Sequence, residues 1–176
     1  MRRILLSCAI LGVLALPAAT SPARAGTAAQ SGFLVLRNAA NDGGVSGRPF
    51  VTLVVHGFVL GSVKPQSEAS VEIIQLPSQG GRGAPVAVGP DASTRIRWHG
   101  FTGQRFRGTG FRFRALGGYY RVVVRGSGVY LFAGGHGLVT LEGSSFNRNA
   151  DGEYSIGGAP FRSLPTRLLK RTIGGG

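Results

Sequence analysis

Acidic residues, lysine, cysteine and long apolar runs are all scarce in this sequence, and each shortage excludes something. A single cysteine in 176 residues cannot make an internal disulfide or a multi-thiolate zinc site. Lysine occurs only at positions 64 and 170, so the excess of 20 cationic over 7 acidic side chains is almost entirely arginine. The longest mainly apolar run is Ile4 to Leu16. It falls short of the roughly 20 residues a membrane-spanning helix needs. A G-x-S-x-G elbow, an H-E-x-x-H pair and a phosphate loop are all missing. At 43% hydrophobic residues the chain is nevertheless too apolar to be disordered, and its length suits one domain.

Met1-Arg2-Arg3, the apolar stretch behind it and the small-residue site Ala23-Arg24-Ala25 form the pattern of a cleaved secretory signal. Residues 1–25 are therefore expected to be removed and the mature chain, starting at Gly26, to be exported, either secreted or held in the cell envelope. The pair Arg2-Arg3 and the box Leu5-Leu6-Ser7-Cys8 admit twin-arginine or lipoprotein readings, which fit less well. Removal takes the only cysteine with it. No apolar run long enough to span a membrane follows.

Apolar residues then recur at every second position in short runs punctuated by Gly, the mark of an all-β chain. The expected fold is a single-domain antiparallel sandwich or barrel of about ten short strands over residues 26–161. Gly32 to Arg37 reads as the first strand, Phe50 to Leu60 as one buried on both faces, and Ser70 to Leu76 as a partly exposed one. Val86 to Val88 reads as a short edge strand. Val129 to Ala133, Leu138 to Glu142 and Glu153 to Ile156 read as separate later strands. Arg107-Gly108-Thr109-Gly110 recurs 18 residues on as Arg125-Gly126-Ser127-Gly128. That period fits one strand-turn unit used twice, or two coils of a short β-solenoid, the alternative fold. Residues 162–176 are expected to be a flexible basic tail, with a short helix turn followed by disorder.

Motifs for chemistry are thin. Leu53-Val54-Val55-His56-Gly57 looks like an oxyanion-hole turn of α/β-hydrolases but lacks its nucleophile elbow. His56, His99 and His136 have no metal-ligand spacing, and Glu68 and Glu72 lie about 13 Å apart on a strand, too far for a glycosidase pair. No catalytic residue, metal ligand or cofactor is assigned, so the expected protein is not an enzyme; a hydrolase is the remote alternative.

The charge pattern stands out. Between Asp91 and Glu142 no acidic residue occurs, while Arg95, Arg97, Arg105, Arg107, Arg112, Arg114, Arg121 and Arg125 all fall there, with nine of the fifteen aromatics. Each Arg-x-Arg on a strand projects two guanidinium groups about 6.6–6.8 Å apart from one face, and their forks suit phosphate and carboxylate. These eight arginines are the candidate anion-binding set, with Trp98, Tyr119 and Tyr120 as aromatic contacts. The partner they imply is an anionic envelope polymer or lipid head groups, since nucleic acid fits poorly outside the cell. Arginine used only for solubility, and a structural, self-assembling envelope protein, are the competing readings.

The run Phe111 to Val124, followed by Gly126-Ser127-Gly128-Val129-Tyr130-Leu131 and Gly137 to Gly143, resembles the C-terminal half of small secreted β-rich proteins of actinobacteria and similar high-GC bacteria. The resemblance covers about residues 105–143. It implies export and a β-rich fold, and carries no catalytic residue.

Overall fold

The computed structural model describes residues 32–40, 43–77, 84–143 and 152–175. The secretory leader expected at 1–25 lies outside them. The described chain is all-β, with strands β1 (Gly32–Ala39), β2 (Val51–Val63), β3 (Glu68–Leu76), β4 (Val86–Val88), β5 (Ala92–Trp98) and β6 (Phe101–Thr109). Then come β7 (Arg112–Gly126), β8 (Val129–Leu141), β9 (Glu153–Ile156), β10 (Arg162–Ser163) and β11 (Leu169–Ile173). All pair antiparallel in one sheet of order β10-β9-β1-β8-β2-β7-β3-β6-β5, with β4 added beside β7 and β11 beside β8. The two ends of this order do not meet, so the sheet is open and forms neither a barrel nor a solenoid.

Three long strands, β7, β2 and β8, run side by side as a spine. On the outer side of β8, β1 pairs with its first half and β11 with its second. On the outer side of β7, β4 pairs with its first half and β3 with its second. The sheet thus has a β1 half and a β3 half sharing the spine. Gly118, Gly57 and Gly135, neighbours across the three spine strands, mark the seam. Only Gly serves at Gly135, where φ is 132° and a Cβ would run into the His56 carbonyl.

A bulge sits on the same seam. Between the pairs Gly57↔Gly118 and Val59↔Ala115, β7 holds one residue more than β2. The extra residue resets the alternation, so that Phe113 and Ala115 before it and Tyr120, Val122 and Val124 after it all enter one core. That core is the inner face of the sheet, where residues such as Leu53, Val71, Val122 and Leu141 are fully buried. No α-helix covers it among the described residues. The sheet therefore bends over itself, each half covering the other.

Several expectations are corrected. β2 is buried on its inner face only, with His56 and Leu60 exposed on the other. β3 is the strand buried on both faces, from Ala69 to Ile74. Its outer side is covered by a 3-10 turn, Gly44–Ser46, and by arginines of neighbouring strands. Val129 to Leu141 is one continuous strand through Gly134, Gly135 and Gly137, because the seam bends the chain without ending it. The segment expected to be a flexible tail carries β10 and β11 instead: Leu169–Ile173 completes the edge of β8 that β1 leaves open, and Ile173 is fully buried.

Candidate anion-binding faces

The structure sorts the eight candidate arginines into three groups. Arg105, Arg107, Arg121 and Arg125 lie on the outer face of the β3 half. Here Glu72 stands directly opposite Arg105, and Ser70 stands between Arg107 on β6 and Arg125 on β7. Arg105 donates from Nε at 3.1 Å and Nη2 at 2.8 Å, and Arg125 from Nη1 at 2.7 Å, all to Oε1 of Glu72. Arg107 donates to Glu68 at 2.8 Å. Glu72 is only 8% exposed, and such burial is tolerable for a carboxylate held by two guanidinium groups. With Val45 and Ser46 these side chains line a polar hollow of about 260 Å³. Arg121 stacks on Trp98, its Cζ 4.6 Å from the ring centroid. Burial pulls its pKa down from the usual arginine value, with Glu72 opposing and Arg125 adding to the shift.

The repeat explains this symmetry. Gly108 and Gly126 face Ala69 from its two sides, as Arg107 and Arg125 face Ser70. The turn between β2 and β3 is held by both copies: the Gly110 N–H donates to the Lys64 carbonyl, and the Lys64 N–H donates to the Gly128 carbonyl. The 18-residue unit is therefore a strand end and turn used once on each flank of β3.

Arg112 and Arg114 lie across the seam, on the outer face of the β1 half. They are exposed, and among the described residues neither has an ion pair or hydrogen bond partner. Their neighbours are apolar. One row across the sheet reads Val35, Phe132, Leu60, Arg114, Val86, and the next reads Tyr130, Ser62, Arg112, Val88. Phe132 packs between Phe33 and Phe58, at 6.1 and 5.4 Å. Phe33, Leu60, Tyr130 and Phe132 nevertheless remain 36–39% exposed. Two hollows, of about 450 and 400 Å³, share Leu60, Gly61 and Arg112, and among the described residues no acidic one lines either. The Lys64 ammonium stands 5.6 Å from the Tyr130 ring centroid, and Arg37 stacks on Phe161. The acid nearest in strand register is Glu153 on β9, opposite Arg37.

Arg95 and Arg97 form the third group. On edge strand β5, Arg95 pairs with Gln104, which pairs with the inner-facing Ile73, so both arginines project on the other side of the sheet from Arg105. Of the aromatic candidates, Trp98 is engaged by Arg121 and Tyr119 is half-buried beside His56. Tyr120 is corrected: adjacent strand residues face opposite ways, and Tyr120 is the inward one, fully buried with its hydroxyl donating to the Leu116 carbonyl at 2.7 Å. His56 and His136 are register partners at the seam, while His99 occupies the turn between β5 and β6.

The sequence reasoning missed the exposed apolar set Phe33, Leu60, Tyr130 and Phe132. The signal was present in Tyr130-Leu131-Phe132 and Phe58-Val59-Leu60, where apolar residues fill both faces of a strand. Compared with protein-family models, curated proteins and solved structures, the chain matches none of them.

Proposed function

We propose that the protein is an exported, non-enzymatic β-domain that binds an anionic cell-envelope partner through the outer face of its β1 half. The observation that carries the reading is the contrast in pairing. Arg105, Arg107 and Arg125 spend donors on Glu68 and Glu72, whereas Arg112 and Arg114 project beside exposed aromatics with no counter-charge among the described residues. An uncompensated guanidinium pair offers bidentate hydrogen bonds to phosphate or carboxylate, and Tyr130 adds flat apolar contact. Arg105, Arg107, Arg121 and Arg125 then serve as framework.

The test is retention on immobilised heparin and on anionic wall polymer as salt is raised. Arg112→Gln with Arg114→Gln elutes at lower salt than the parent, and Arg95→Gln with Arg97→Gln, the same loss of charge elsewhere, elutes close to it. Equal effects of the two pairs would reduce the behaviour to net charge and overturn the reading.

Edge-to-edge assembly is the second reading, supported by β5, which has no strand on its outer side among the described residues. Arg95 and Arg97 on that strand work against a second copy. Light scattering across a concentration series decides: a monomer throughout removes it.

A further inference from the structure

We infer that the partner of the Arg112/Arg114 face is the surface of an anionic lipid bilayer; this rests on the proposed function and names its ligand. A soluble polyanion can neutralise two arginines, but it leaves Phe33, Leu60, Phe132 and Val88 in water, and Val88 is 72% exposed. A bilayer surface takes both kinds of group at once: phosphates at the guanidinium level and acyl chains a few ångströms deeper. Cationic and apolar side chains neighbour one another across this face, so both kinds meet such a surface together. Arg114 stands between Leu60 and Val86, and Arg112 between Ser62 and Val88, so each cation has at least one apolar neighbour able to enter the acyl boundary. Tyr130, with Lys64 above its ring, has the amphipathic character of residues that sit at head-group depth. A second copy of the chain is the poorer occupant, because a two-fold pairing of this face brings Arg112 and Arg114 of both copies into one interface whose hollows, among the described residues, no carboxylate lines.

The full chain is titrated with vesicles of phosphatidylglycerol and phosphatidylcholine, with pure phosphatidylcholine vesicles, and with heparin. Mixed vesicles bind and neutral ones bind weakly. Arg112→Gln with Arg114→Gln lowers affinity for mixed vesicles by about thirtyfold, at about fivefold per cation, and weakens heparin as well. Leu60→Ser with Phe132→Ser lowers vesicle affinity by about tenfold and leaves heparin unchanged. A single Phe132→Trp variant gives a second readout: its emission shifts to the blue with mixed vesicles and not with heparin, against the fixed background of Trp98.

Vesicle affinity indifferent to Leu60→Ser with Phe132→Ser, or an emission shift equal for heparin and vesicles, overturns the bilayer inference and leaves the anion-binding face standing. If Arg112→Gln with Arg114→Gln changes neither ligand, the underlying reading falls with it.

Discussion

The two outer faces carry the same arginine-rich strand chemistry to opposite ends. On the β3 half, two carboxylates draw the arginines down onto the sheet, and Glu72 is buried by the groups that neutralise it. On the β1 half the arginines stand free among exposed aromatics. The difference lies in where two of the seven acids fall. Glu68 and Glu72 share one face of β3, while the strands around Arg112 and Arg114, β2 and β4, bring none. An Arg-x-Arg pattern thus marks neither a binding surface nor a structural one until its cross-strand neighbours are known.

The largest expected effect tests the seam that separates the faces. Gly135→Ala places a methyl against the His56 carbonyl at a backbone conformation alanine avoids, and should cost about 3–4 kcal/mol in chemical denaturation. Glu72→Gln comes next. It leaves Arg105 and Arg125 facing each other across a neutral amide, for a loss of about 2–3 kcal/mol, discounted for the half-exposure of Arg105. Unchanged stability there would erase the contrast between a framework face and a free one.

Tyr120→Phe removes the hydroxyl bond to Leu116 and should cost about 1 kcal/mol at neutral pH. Burial raises the Tyr120 pKa, so its neutral form is the folded one. Its contribution is complete below the unfolded tyrosine value of about 10 and is lost as pH rises from there through the higher folded value. The parent should therefore lose more stability than Tyr120→Phe in unfolding series above about pH 10. The smallest expected effect is the stability change of Arg112→Gln with Arg114→Gln, within about 0.5 kcal/mol, since nothing in the fold leans on them. A change as large as that of Glu72→Gln would show these arginines to be structural.

Much of the architecture was legible because strand alternation is local. Phe106 between Arg105 and Arg107, and Phe113 between Arg112 and Arg114, are buried between exposed cations as the period of two requires. Val86–Val88 and Glu153–Ile156 were readable as short strands for the same reason. The rest depended on contacts distant in sequence. Whether Leu169–Ile173 is a strand depends on the vacant edge of β8, nearly thirty residues earlier. That Tyr120 faces inward follows from its alternation with Val122 and Val124, but that Phe113 and Ala115, of the opposite parity, enter the same core depends on the bulge in the pairing of β7 with β2. The division of the eight arginines required the register of β3 against both β6 and β7. No local pattern carries that information.

The continuity of β7, β2 and β8 through the glycine seam has a dynamic consequence. Each half has outlying pairings of its own, β1 with β9 on one side and β3 with β6 on the other, but both are anchored on the same three strands, so neither half can lose its share of the spine while the other keeps it intact. Amide exchange along these three strands should therefore follow a single global opening, with slower exchange there than at the short outlying strands β4 and β10.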